Sequence, residues 1–312
     1  MSKGQTTIAN TRNALTFVKV TSAHQEHPER NEDYGLIDRD SRLAIICDGV
    51  GCVSGADLAA RTAARTVKAS WRRILARLAE YPSQVDEHNQ YLDLDAILPQ
   101  LLSEANQAVL AEGERLAKRS NGTDDKKIYA QTTIALVLLL QQSDGYLMGY
   151  AHIGDSRIYL LRKKNTLQRL TADDGYFEWK INKGEMNAQD AWRIEQTSSA
   201  EQLSEQDRAH FDKRNGISQS LGGKDIITCH VGQTELCPGD RVLLCTDGIH
   251  DNLTDAEIEE VLRKGARTTV AQKLLNQAAE RSQQDETMCL RAKKDDMSAI
   301  VITCHSLLGG QL

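Results

Sequence analysis

Apolar and polar positions along this chain change rhythm block by block. Residues 15–20 read as a strand, the charged stretch 21–33 as a loop, and 34–37 as a second strand. Residues 43–47 form a continuous apolar run that stops at Asp48-Gly49, the mark of a buried strand ending in a loop. From Gly55 onward Leu58, Thr62, Val67, Trp71, Ile74, Leu75 and Leu78 recur near helical spacing, which predicts a long amphipathic helix with Trp71 in the core. A second helix is expected over 94–115. Between 134 and 162 the pattern is strand-like, with Asp144-Gly145 as a two-residue turn joining 136–140 to 146–153.

Residues 174–214 are polar and carry only short helical patterns, so they are expected to form a mobile flap rather than core. Beyond them, 241–245 reads as a strand after the Pro238-Gly239 turn, 255–263 and 268–281 as helices, and 298–304 as a closing β-branched strand. Strands and helices come in separate blocks, which implies an α+β class with antiparallel sheets.

Composition narrows this picture. Apolar residues make up 40% of 312 and aromatics only 4%, so the core must be aliphatic. A net charge of −6 argues against a nucleic-acid or anionic-membrane surface. Seven cysteines with no C-x-x-C pair point to buried thiols, not to a zinc cluster or a disulfide framework. A nucleophilic-cysteine reading fails because no Cys-x5-Arg phosphate cradle is present. No apolar run is long enough for a signal peptide or a membrane span, so a cytoplasmic protein is expected.

The candidate chemistry lies in acids at strand ends. Residues 45–49 and 243–248 both place an Asp-Gly at the exit of an apolar strand. A rigid strand aims its last carboxylate, and the glycine leaves room for a backbone carbonyl to approach a cation. Glu32-Asp33, Asp155 and Asp295-Asp296 sit in similar places. If these loops converge, cations must neutralise them, and all-oxygen ligation selects Mg2+ or Mn2+ over Zn2+. Each Asp-Gly alone also reads as an ordinary turn, and Asp255 as a helix-start acid. His152, inside a strand, reads as a packing residue, and His250 as a loop residue without a role.

The ordered set resembles the metal-dependent PPM, or type 2C, protein Ser/Thr phosphatases. Its landmarks are Arg30-Asn31-Glu32-Asp33, Asp48-Gly49-Val50-Gly51, Thr132-Thr133, the run 151–159 around Gly154-Asp155-Ser156-Arg157, Leu170-Thr171-Ala172-Asp173, the run 244–251 around Asp247-Gly248, and Asp295-Asp296-Met297-Ser298. The resemblance implies a four-layer α-β-β-α sandwich of two antiparallel sheets flanked by helices. A single domain would run over 12–306 with the flap at 174–214, between tails at 1–11 and 307–312.

It further implies two Mn2+ or Mg2+ ions per active site and a third, weaker one. Asp48 would bridge the two; Asp33 and the Gly49 carbonyl would serve one, Asp247 and Asp295 the other, with Glu32 in support and Asp155 at the third. The implied reaction is in-line attack by a metal-activated water on phosphoserine or phosphothreonine, with Asp48, Asp247 and Arg30 as catalytic residues and no phosphoenzyme. Expected partners are phosphoprotein substrates of Ser/Thr kinases, and the chain is expected to be a monomer.

Departures from the family gather around phosphate contact. Pro28 stands where an arginine is common, leaving Arg30 as its substitute. Val50 replaces a frequent histidine, Cys52 and Gln131 replace glycines, and 217–222 lacks a usual arginine. They keep two alternatives open: a pseudophosphatase or phosphate-binding module, and a phosphatase of small esters.

Overall fold

The computed structural model describes residues 15–50, 55–80, 92–119, 130–142, 145–223, 228–285 and 287–306. Asp144 of the expected turn, the Gly51 and Cys52 positions, and the tails at 1–11 and 307–312 lie outside them.

Two antiparallel sheets face one another. The first runs β1 (Leu15–Ser22), β12 (Met297–Cys304), β11 (Arg241–Cys245), β8 (Arg157–Leu161), β9 (Leu167–Arg169); the second runs β10 (His230–Leu236), β7 (Tyr146–Ile153), β6 (Ile134–Gln141), β3 (Leu43–Cys47), β2 (Tyr34–Asp38). A small separate ladder pairs β4 (Gly49–Val50) with β5 (Gln131–Thr132).

Successive residues of the central strands point to opposite buried faces, which is why their sequences are uninterrupted apolar runs. In β3, Ala44 and Ile46 enter the core between the sheets, where they meet Val242 and Leu244 of β11 and Ile300 and Ile302 of β12. Leu43, Ile45 and Cys47 face outward against α1 (Ala56–Glu80) and α2 (Leu94–Arg119). On the far side Leu243, Cys245, Ala299 and Val301 pack on α7 (Asp255–Lys264) and α8 (Val270–Ser282). The architecture is the expected α-β-β-α sandwich.

One helix face differs from expectation. The buried stripe of α1 is Ala59, Ala60, Ala63, Ala64, Val67 and Trp71, whereas Leu58 and Leu78 are only partly buried. Small side chains let the helix lie close on its sheet, and the Trp71 indole N–H reaches the Ser41 carbonyl at 3.0 Å. Asp255 sits in the first turn of α7, while Thr254 caps that helix in a reciprocal pair with Glu257. Among the described residues no helix is long and apolar enough to cross a membrane.

Residues 174–214, expected as a flap, fold as α3 (Tyr176–Asn182), α4 (Ala188–Glu195) and α5 (Glu205–Phe211), and arginines pin the base of this segment. Arg157 of β8 binds both Asp173 and Glu195, Arg169 binds Glu195, and Arg291 donates to the carbonyls of Glu195 and His250. Burial opposes ionisation of Asp173, but Arg157 and Arg169 prevail and bring its carboxyl from 3.8 down to about 2. A depressed folded-state value means that this stabilisation is complete above about pH 4 and disappears as pH falls toward 2. Asp173→Asn should therefore flatten the acid limb of stability between those values, read as urea midpoint against pH; an unaltered slope would remove Asp173 as its source.

Candidate active site

Asp48 follows the last residue of β3, and its peptide group is gripped from both sides. Its N–H donates to Thr133 Oγ1 (3.1 Å), and its carbonyl accepts from the Thr133 N–H (2.8 Å) and Thr132 Oγ1 (2.8 Å). The Thr133 hydroxyl also bonds that of Ser156 (2.8 Å), so neighbouring β5 and the turn after β7 fix where Asp48 points. A Cβ on Gly49 would lie 2.6 Å from the Ala56 carbonyl group. The glycine thus admits the first residue of α1 against the strand exit, a packing reason beside the one expected from its carbonyl.

Asp33, before β2, takes a bond from Thr246 Oγ1 at 2.8 Å, and Thr246 Oγ1 accepts from the Ser298 N–H at 3.0 Å. These bonds tie the entry to β2, the exit of β11 and the start of β12 to one another. Asp247 opens a short helix, α6 (Asp247–His250). His250 is accordingly not a loop residue: it is buried in α6, and its Nε2 meets the Asp155 carbonyl at 3.1 Å. Asp296 holds the 24–32 loop by accepting from the N–H groups of His24 (2.8 Å) and Glu32 (2.7 Å).

Five expected acids converge electrostatically. Burial, then the charges of Asp247, Asp33, Asp295 and Asp155, push the Asp48 carboxyl well above the usual aspartate range. Asp33 and Asp155 are raised for the same reasons, and burial with Asp247 brings Asp295 to about 6. Glu32 stands aside: its carboxylate faces Arg30 at 3.4 Å, with Asp296 and Asp57 as its acidic neighbours. The Arg30 side chain is 59% exposed.

Sequence reasoning missed Lys293. Its ammonium bonds Asp247 and also Asp251 (2.8 Å) and Asp295 (3.1 Å). Burial disfavours its charge, yet these acids hold its pKa well above the ordinary lysine value. Asp251 is likewise kept well below its usual range by Lys293, His250 and Arg214 despite burial. The available signal was the Lys293-Lys294 pair beside Asp295-Asp296, which reads as a solvated charge run.

The donor set suits hard cations. Asp33 Oδ1 and Asp247 Oδ1 are buried without a hydrogen-bond partner, as oxygens reserved for an ion would be. Their spacing is looser than one closed ion shell requires: among the described residues no three of these aspartates bring an oxygen each within 4.8 Å of one another, and Lys293 bridges Asp247 and Asp295.

Fold and site together define an α-β-β-α sandwich with a buried carboxylate centre where its two sheets meet. The family model for protein phosphatase 2C matches residues 21–284, and the chain belongs to that family. Protein phosphatase PhpP of Streptococcus pneumoniae is 28% identical over 235 residues, 74% of this chain and 78% of that protein. Serine/threonine phosphatase stp of Listeria innocua is 22% identical over 246 residues, 78% and 81% of the two chains. Among solved structures, the Mycobacterium tuberculosis serine/threonine phosphatase PstP/Ppp aligns with a TM-score of 0.65 at 22% identity, covering 93% of this chain and 99% of that one. The catalytic domain of PstP in complex with 2 manganese ions aligns at 0.62, also at 22% identity, over 94% and 99%. These likenesses establish the fold.

Removing one member of a buried ion cluster leaves the others uncompensated, at about 3–5 kcal/mol. Lys293→Met should lower the urea-unfolding free energy by about that much in chelator. A midpoint equal to that of the unaltered protein would mean that the ammonium carries no weight in the cluster.

Proposed function

We propose that this chain hydrolyses phosphoserine and phosphothreonine on proteins, using water activated at a centre for two Mn2+ or Mg2+ ions. The observation that carries the reading is the convergence of Asp33, Asp48, Asp155, Asp247 and Asp295 in one electrostatic cluster, with Asp33 and Asp155 buried and one oxygen each of Asp33 and Asp247 left unpartnered. Asp48 would serve both ions, Asp33 and the Gly49 carbonyl one, Asp247 and Asp295 the other, and Asp155 a third, weaker one. Bound ions supply Lewis acidity, which lowers the pKa of water and draws charge from the phosphoryl oxygens.

The remaining work falls to the protein. Thr132 and Thr133 hold the Asp48 peptide, Thr246 orients Asp33, and His250 fixes the Asp155 backbone. Arg30, exposed at the entrance, offers a guanidinium to the incoming phosphate, and Glu32 steadies it. A peptide substrate is favoured over a small ester by the flap, where Tyr176, Trp179 and Lys213 line a surface cleft and Lys183 lies 4.5 Å over the Trp179 ring. In this reading residues 12–306 act as one monomeric cytoplasmic domain with 174–214 as its flap, opposing Ser/Thr kinases and needing neither membrane nor nucleic acid.

Lys293 favours a second reading. Its ammonium takes the place on Asp247 and Asp295 that an ion needs, as suits a phosphate-binding module with little turnover. Phosphate release from a phosphothreonine peptide decides between them, measured with Mn2+, with EDTA, and in Asp48→Asn and Asp247→Asn. Hydrolysis should require Mn2+ and drop at least about a hundredfold in both variants, the upper range for losing even an outer-shell metal partner. Mn2+ binding without release would favour the binding module, and faster release from small esters than from peptides would reassign the substrate.

A further inference from the structure

A second group of ligating side chains lies outside the aspartate cluster. The antiparallel register of β7 and β10 sets His230 directly opposite His152, and their rings stack with centroids 4.7 Å apart. Asp174, at the entrance to the flap, completes the group: its Oδ1 meets His230 Nε2 at 2.7 Å, and its Oδ2 accepts the Gly154 N–H at 2.8 Å. One ligand atom from each of the three residues lies within 4.8 Å of the others, the only such trio of His, Cys, Asp or Glu among the described residues.

The hydrogen bonds around His152 define its state. Nε2 faces the Ala172 carbonyl at 2.7 Å, and a carbonyl can only accept, so Nε2 carries the proton and Nδ1 the lone pair. That Nδ1 is buried and has no hydrogen-bond partner, in a residue only 3% exposed. Burial also lowers the His152 pKa, which favours the neutral ring. An imidazole whose one N–H is spent on a backbone carbonyl while its other nitrogen is left bare has the second-shell arrangement typical of metal-bound histidine. Asp174 has the equivalent support, one oxygen anchored by a peptide N–H.

We propose that His152, Asp174 and His230 form a site for a borderline divalent transition ion of the zinc class, separate from the carboxylate centre. Two imidazoles and one carboxylate suit Zn2+ far better than Mg2+, which prefers all-oxygen shells. Ligands at about 2.0–2.1 Å from zinc stand about 3.3 Å apart in a tetrahedron, so the trio closes when the His230 ring turns out of its stack on His152 and aims its nitrogen at a shared ion. His230 can make that turn, since its side chain is 38% exposed and gives the ion a path from solvent. The ion would replace the His230–Asp174 hydrogen bond and join two strands to the flap entrance, where Asp174 also bonds Gly154 and Ser218 through its backbone.

The test is zinc titration of the full chain by calorimetry in saturating Mg2+, which occupies oxygen sites without competing for imidazole. One zinc equivalent should bind. It should persist in Asp48→Asn and weaken by more than about a hundredfold in His230→Ala and in Asp174→Asn, beyond the range for losing an outer-shell partner. His230 is partly exposed, so its variant should keep the native circular dichroism. Co2+ substituted for zinc should show visible absorption that the His230→Ala protein lacks, a readout independent of catalysis. Zinc bound equally by the His230→Ala protein, zinc lost in Asp48→Asn instead, or no zinc retained at all would overturn the proposal and leave a hydrogen-bonded His-Asp cluster only.

Discussion

Five aspartates, two buried and three partly so, meet at one joint between two sheets, and mutual repulsion is the constraint around which the rest of the structure is arranged. Burial alone pushes Asp33, Asp48 and Asp155 toward their neutral forms, and each acidic neighbour adds to the push. A fold that places such groups together must hold them by its backbone, since the charges will not hold themselves. Lys293 supplies one compensating charge on one side of the cluster, reaching Asp247 and Asp295 but not Asp33 or Asp48. On the other side, support comes from neutral donors: Thr246 on the Asp33 carboxylate and Thr132 and Thr133 on the Asp48 peptide.

That division accounts for the acids standing at the ends of the most deeply buried strands. Every residue of β3 and of β12 is buried, and in β11 all but Arg241 are. Their side chains are locked on both faces, between the sheets and against the helices, so the residues flanking each strand, Asp48 after β3, Asp247 after β11 and Asp295 before β12, start from fixed points. A carboxylate on a mobile loop would relieve repulsion by swinging into water. Here the closely packed alanine face of α1 and the contact of Ala56 with Gly49 remove that freedom at Asp48.

Elements that bury both faces were legible because an uninterrupted apolar run ending at Asp-Gly fits little besides a buried strand leaving its sheet. Strand β10 was not, because as an edge strand it alternates partly buried and exposed positions through Gly232, Gln233, Thr234 and Glu235. With it went the position of His230 and its stacking on His152, whose burial in β7 agrees with the packing role read for it. On α1 the expected Val67, Trp71, Ile74 and Leu75 do face the core, but its alanines were passed over for Leu58 and Leu78: periodicity weights leucines over alanines, whereas close helix-sheet contact selects the smaller side chain. The candidate acids could be found individually from strand ends, whereas Lys293 could not. Only the folded structure shows that this lysine turns inward while the chain around it carries exposed charge.

The flap and the aspartate cluster are physically continuous through one residue. Gly154 has φ of +95°, a backbone conformation that glycine adopts without strain, and a Cβ there would lie 2.7 Å from the Thr133 side chain. Its N–H donates to the Asp174 carboxylate and its carbonyl accepts the Asp174 N–H, while the next residue is Asp155. Thr133 in turn holds the Asp48 peptide. A displacement of the flap at Asp174 therefore presses on Gly154, and through Gly154 on both Asp155 and Thr133, with no loose segment between to absorb it. The arginines at the flap base oppose such a displacement, and the close packing about Gly154 makes the position of the flap and the aim of Asp48 parts of one mechanical problem.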